Sequence, residues 1–208
     1  MTKPSLFAYN RQSVKTPFGL LGTDEKSLTF ALGYTMQQCP RLLQKFLASI
    51  GLKGFRLASL EEAKISLETK QGKGITDIEV KLANLLYLII EAKVGLNIPK
   101  LEQCKKYIKR LKSSTARERR LVMLLGVDES STLTLYRNKD EDCRRFLTGF
   151  HWAELLEVQR SLLSEFSSAS AEGRWIRDFF EFLQGEFNMK SYTDEVWIVP
   201  VTNRLIIV

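Results

Sequence analysis

Asp77 and the triplet Glu91-Ala92-Lys93 are the residues of this chain best spaced to do chemistry together. Glu-x-Lys occurs at Glu62/Lys64, Glu68/Lys70, Glu79/Lys81 and Glu91/Lys93, so the triplet alone selects nothing. Context selects the last of them. Residues 85–90 are apolar on both faces, as in a central buried strand, and an unpartnered charge at the end of such a strand is costly. Strand alternation puts Glu91 and Lys93 on one face. Asp77 lies as far before Asn84 as Glu91 lies after it, and Asn tolerates a left-handed turn. A hairpin centred on Asn84 therefore sets the two carboxylates opposite each other, with Cβ atoms roughly 4.5–5.5 Å apart. Carboxylates that close repel unless they share a proton or a cation. Hard oxygen ligands suit Mg²⁺, with Mn²⁺ able to substitute. Lys93 beside them could set positive charge on a phosphate or help deprotonate a metal-bound water.

The elements that must position these groups follow from period and punctuation. Thr23 is expected to cap a helix with Asp24 and Glu25 in its first turn, where the dipole favours acids; Leu28, Ala31, Leu32, Met36 and Cys39 keep helical spacing. Glu25 is then a candidate third carboxylate. Pro40 opens or kinks a second helix over 41–50, and Gly51 ends it. Ile65 and Leu67 alternate with polar residues as in a half-exposed strand, and residues 71–74 are turn chemistry. Over 75–82, Thr76, Ile78, Val80 and Leu82 face one way and Ile75, Asp77, Glu79 and Lys81 the other. Asn97, Ile98 and Pro99 lead into a helix whose buried stripe is Leu101, Cys104, Ile108 and Leu111. On it Lys100, Gln103, Tyr107 and Arg110 form one polar stripe, flanked by Lys105, Lys106, Lys109 and Lys112, a surface suited to phosphates.

Further on, residues 121–125 read as a buried strand, 133–137 as another, and 145–149 as a short strand feeding a helix over 152–166. Small residues at 167–173 suggest a boundary. It divides a core, 1–166, from a C-terminal segment, 167–208, with a helix over 174–187 and apolar strands at 196–199 and 204–208. The opening stretch to Gly22, with two prolines, reads as irregular.

Composition sets the outer limits. The 208 residues carry 31 Lys+Arg against 24 Asp+Glu, a net charge of +7, with 44% hydrophobic and 26% charged residues. That balance is globular and suits a polyanionic partner. One histidine, His151, excludes a site of several imidazoles, and its place before a helix is structural. Cys39, Cys104 and Cys143 form no C-x-x-C pair, which excludes a zinc ribbon or a disulfide framework. The first fifteen residues hold no signal-peptide core. The longest apolar run has six residues, against the ~20 that span a bilayer, so a cytoplasmic chain without membrane contact is expected. The sequence ends on Leu205-Ile206-Ile207-Val208, which suggests a docked last strand or further sequence downstream. The aromatic-rich residues after Gly173 suggest an interface, either of a homodimer or with a downstream fused domain.

The segments GITDIEV, LLYLIIEAKVG and LEQCKKYIKRL together resemble the PD-(D/E)xK nuclease superfamily, and DEKSLTFALGYTMQQCP is similar to the first core helix of its bacterial members. The resemblance covers roughly residues 23–126, with Thr76 where the motif's name expects proline. It implies an α/β fold with a restriction-endonuclease-like αβββαβ core, here carrying a C-terminal α/β extension, and Mg²⁺-dependent cleavage of nucleic-acid phosphodiesters. It assigns Glu25 to the first-helix acid, Asp77 and Glu91 to the metal carboxylates, and Lys93 to the catalytic lysine. Gln103 falls on the helix glutamine of several branches and Tyr107 on the aromatic that follows it.

The expected activity is that of an endonuclease, with DNA as substrate on the family's habits. Water activated by Mg²⁺ or Mn²⁺ would attack the scissile phosphate in line and leave a 5′-phosphate. Asp77, Glu91 and Glu25 would hold metal, Lys93 and Gln103 would orient water and phosphate, and Lys100, Lys105, Lys106, Tyr107, Lys109 and Arg110 would meet the backbone. The alternative is a non-catalytic binding or interaction module on the nuclease scaffold, perhaps within a larger defence protein.

Overall fold

Alternation, then a run buried on both faces, builds three consecutive strands into one sheet. The computed structural model describes residues 8–9, 12–13, 16–22, 24–71, 74–94, 98–126, 130–167 and 169–186. A two-stranded ribbon, β1 (Ala8–Tyr9) with β2 (Gln12–Ser13), and a 3-10 turn (Pro17–Leu20) precede α1 (Glu25–Gln38), α2 (Pro40–Ser49) and α3 (Leu57–Leu60). The strands β3 (Lys64–Gln71), β4 (Gly74–Leu82) and β5 (Leu86–Ala92) follow, then α4 (Leu101–Lys112) and β6 (Glu118–Leu125). The described chain continues through α5 (Ser130–Lys139), α6 (Glu141–Phe146), β7 (Leu147–His151), α7 (Trp152–Glu165) and α8 (Ala171–Glu186). The five-stranded sheet runs β3-β4-β5-β6-β7, antiparallel through β5 and parallel from β5 to β7. The chain is thus α/β with a mixed sheet. Its middle reads helix, three strands, helix, strand.

Helices cover both faces. Ile78, Val80, Leu88, Ile90 and Val122 pack with residues of α1, α2, α7 and α8 in one core. Tyr87, Ile89, Leu121 and Met123 pack with Cys104, Ile108 and Leu111 of α4, and with Cys143 and Phe146, in the other. All three cysteines are free and buried. Burial pushes the thiols up, to about 11 for Cys39 and Cys143 and about 12 for Cys104. Among the described residues, no helix is long and apolar enough to cross a membrane.

Several expectations are corrected. Residues 133–137 belong to helix α5, not a strand: Leu133 is buried and Leu135 is 47% exposed, which strand alternation forbids and helical rotation requires. Asp24, not Thr23, caps α1, its Oδ1 accepting from the Ser27 N–H at 2.7 Å; Thr23 itself lies outside the described residues. The left-handed residue of the β4–β5 turn is Ala83, with φ 40, not Asn84. The opening stretch is not wholly irregular, since it holds the ribbon and the 3-10 turn. Residues 145–146 finish α6 before β7 begins. In α8, Phe179 and Phe182 are buried in the first core, each worth about 1.5–3 kcal/mol, while Trp175 and Phe180 are half-buried against it. The apolar segments 196–199 and 204–208 lie outside the described residues.

Candidate active site

The β4–β5 hairpin has the register the spacing predicts. Ile78 pairs with Ile90 and Leu82 with Leu86, so Asp77 falls opposite Glu91. Asp77 Oδ2 accepts from the Ala92 N–H at 2.8 Å and tethers the carboxylate to the end of β5. On its other side the ladder to β3 breaks. Leu67 pairs with Ile78 and Thr69 with Thr76, but Glu68, at φ 45, has no ladder partner. A left-handed non-glycine residue costs about 1–2 kcal/mol, and such strain gathers where a strand is bent to aim a side chain. The alternation changes phase here: Thr76 Oγ1 donates to Glu79 Oε1 at 2.8 Å, across three positions that a regular strand would set on opposite faces. Asp77 sits at the break.

Glu91 is 2% exposed. Its Oε1 accepts from Gln103 Nε2 at 2.6 Å and lies 3.0 Å from Lys93 Nζ, while its buried Oε2 has no hydrogen-bond partner among the described residues. Burial, with the charge of Asp77 added, raises the Glu91 carboxyl to about 7. Burial also raises Asp77, against the pull of the Ala92 N–H and Lys93. Burial works against the Lys93 ammonium, but its bonds to Glu25 and Glu91 outweigh that and hold it charged well above the usual lysine range.

Glu25 reaches the site from the first turn of α1. Its Oε1 accepts from Lys93 Nζ at 2.7 Å and its Oε2 from the Val94 N–H at 3.3 Å. The helix can come close to the sheet because of Gly33, where a Cβ would stand 2.5 Å from a methyl of Leu67. The Lys93 carbonyl is held from below by Trp152 Nε1 at 3.0 Å. The structure thus gathers Glu25, Asp77, Glu91, Lys93 and Gln103. It makes Glu25 a partner of Lys93: among the described residues, no group of three acidic, histidine or cysteine side chains is set to hold a metal ion.

The α4 residues separate into two groups. Tyr107 and Arg110 are not an exposed phosphate-binding stripe, because they belong to buried polar structure. The Tyr107 hydroxyl donates to the Ile75 carbonyl at 2.6 Å and receives Gln103 Nε2 at 3.0 Å. Its own pKa is pushed by burial to about 12. Arg110 pairs with Glu79, which is 1% exposed and also receives Tyr87 Oη at 3.1 Å. Lys105 pairs with Asp140 at 2.9 Å and Lys112 with Asp142 at 2.7 Å, on the side of α4 away from Gln103. Lys106 is exposed beside Gln103, Lys109 is exposed on the outer face between Lys105 and Lys106, and Lys100 is exposed just ahead of the helix. The Glu79–Arg110 pair was missed by sequence reasoning. Its signal was a glutamate flanked by Ile78 and Val80 in a strand that continues into a fully buried neighbour.

Comparison with protein-family models, curated proteins and solved structures returned no match.

Proposed function

We propose that the chain is a metal-dependent phosphodiester hydrolase acting on nucleic acid, with DNA as the expected substrate, and that the unit α1, β3–β5, α4 and β6 is a restriction-endonuclease-like αβββαβ core. One observation carries the reading. Asp77 and Glu91 stand side by side at the end of a buried strand, and Glu91 keeps a buried oxygen with no partner among the described residues. An orphaned buried carboxylate oxygen is costly; a proton or a cation satisfies it, and a divalent cation also relieves the repulsion from Asp77 beside it. Two carboxylates are a fitting set for Mg²⁺, which keeps several waters and takes further oxygens from phosphate. Asp77 and Glu91 would hold the ion, which when bound supplies an activated water and neutralises charge on the phosphate.

The chain's own residues do the rest. Gln103 fixes Glu91 Oε1, leaving Oε2 as its free oxygen. Glu25 holds the Lys93 ammonium at the mouth of the site, where it can meet developing negative charge. The Ala92 N–H keeps Asp77 from turning outward.

The test is incubation with plasmid, linear duplex, single-stranded DNA and RNA in Mg²⁺, Mn²⁺ or EDTA. Cleavage that needs the metal, and that Glu91→Gln and Lys93→Met abolish, is expected. Metal-independent nucleic-acid binding without cleavage would favour the second reading, a non-catalytic module. The observation on that side is the Glu25–Lys93–Glu91 bridge, which satisfies its charges without a metal. Calorimetry with Mn²⁺ separates the two readings before any substrate is found.

A further inference from the structure

A cavity of about 600 Å³ opens at the end of the sheet away from the candidate active site. It lies between the loop after α2 and the start of β6, and is lined by Lys53, Phe55, Arg56, Leu85, Arg117 and Glu118, with Ser59 behind them. Five residue steps along β5 lead from Leu86 at this end to Glu91 at the other, about 17 Å of strand. This is not the candidate active site.

What sets the cavity apart is that three cations border it together. Lysines 26, 45, 81, 93, 105 and 112 and Arg110 each have a carboxylate within reach. Among the described residues Lys53, Arg56 and Arg117 have none, although all three are exposed and border one cavity. Against them the cavity lining holds one carboxylate, Glu118, so the lining is net positive and favours an anion. The frame beneath them is fixed by hydrogen bonds to backbone carbonyls. Gln44 Nε2 donates to the Phe55 carbonyl at 2.8 Å, the Arg117 N–H to Asn84 at 2.8 Å and the Glu118 N–H to Leu85 at 2.9 Å. Gly54, at φ +90, lets the loop turn so that its neighbours Lys53 and Phe55 both reach the cavity.

Two more features narrow the ligand. Half-buried Phe55 and the 41%-exposed Leu85 give an apolar surface of a size to meet a base. Glu118, also half-buried and without an ion pair among the described residues, repels a bare anion but accepts hydrogen bonds from hydroxyls. The volume is that of a small-molecule site. We propose that this cavity binds a nucleotide: phosphate on Lys53, Arg56 and Arg117, sugar hydroxyls on Glu118, base against Phe55 and Leu85. The proposal is independent of the cleavage reading.

Calorimetric titration of the full chain with AMP, inorganic phosphate and a 5′-phosphorylated dinucleotide, in EDTA, tests it. AMP is expected to bind at least tenfold more tightly than phosphate. Arg56→Gln and Arg117→Gln should each weaken AMP at least tenfold, while the exposed control Lys139→Gln changes it less than twofold. A dinucleotide that binds more tightly than AMP identifies a strand end as the source of the phosphate, and one that binds more weakly identifies a free nucleotide; either result supports the site. Amide shifts on AMP addition confined to residues 53–59, 84–85 and 117–118 provide a second measurement that needs no variant. Equal affinity for phosphate and AMP, no binding at millimolar ligand, or shifts centred on Glu91 would overturn the proposal.

Discussion

Lys93 Nζ lies 2.7 Å from Glu25 Oε1, and this contact joins the first turn of α1 to the end of β5. It changes what Glu25 is for. Each carboxylate oxygen already accepts one hydrogen bond, from the Lys93 ammonium and from the Val94 N–H, so a metal would have to compete with Lys93 for it. We therefore expect Glu25→Gln to lower turnover at least tenfold through a loosened Lys93, while Mn²⁺ affinity stays within twofold. Single-turnover rates and calorimetry on one preparation check both halves. A parallel fall in metal affinity would return Glu25 to the ligand set.

The buried Glu91 carboxyl sets a pH dependence. Its pKa rises from 4.5 in the unfolded chain to about 7 in the fold, chiefly through burial. The fold thus binds the proton more tightly than the unfolded chain does, so this contribution to stability is full below about 4.5 and is lost as pH climbs through about 7. In EDTA the melting temperature should fall between pH 5 and pH 8, and Glu91→Gln should flatten that fall. Added Mn²⁺ should raise the melting temperature more at pH 8 than at pH 5, because it binds the ionised form. Scanning fluorimetry across pH, with and without metal, reads all three.

The Glu79–Arg110 pair ties α4 to β4 beneath the site, one helical face with Gln103 and Tyr107. Removing one member of a buried pair costs about 3–5 kcal/mol because the other charge is left stranded. Arg110→Met should approach the lower figure, since Lys81 still lies 3.1 Å from Glu79. The double variant Glu79→Gln, Arg110→Met should recover part of that stability. Urea midpoints at unchanged slope measure this; a single variant as stable as wild type would mean that the pair contributes nothing.

The hairpin register was legible because β4 alternates, β5 is a continuous apolar run with clear ends, and the short turn between them leaves few alternatives. The αβββαβ order was legible for the same reason. Residues 133–137 were not, because Leu-Thr-Leu-Tyr-Arg satisfies a strand template over five positions, and only packing against β7 shows which leucine is inside. At the site, sequence found the residues but not their pairings. Helical spacing placed Tyr107 and Arg110 on the Gln103 face correctly and their exposure wrongly. Whether a stripe faces water depends on how far the β3–β4 hairpin reaches over α4, and no spacing within α4 records that.

That division of α4 gives the last prediction. Lys105 and Lys112 are held by Asp140 and Asp142 on the side away from Glu91, whereas Lys106, beside Gln103, and Lys109, on the outer face next to it, are exposed with no ion pair among the described residues. A duplex lying over the candidate site would meet the second pair. Removing one lysine that neutralises a phosphate lowers the slope of log affinity against log salt by about 0.9 on duplex DNA. Lys106→Gln with Lys109→Gln should weaken duplex binding regardless of sequence and lower the slope by about 1.8. Lys105→Gln with Lys112→Gln removes the same formal charge and should leave the slope within about 0.3 of wild type, because those ammonium groups already have carboxylate partners and face elsewhere. Fluorescence anisotropy from 50 to 300 mM salt, with metal withheld to prevent cleavage, measures both double variants. Equal slopes for the two would mean that nucleic acid does not approach along the Gln103 face of α4.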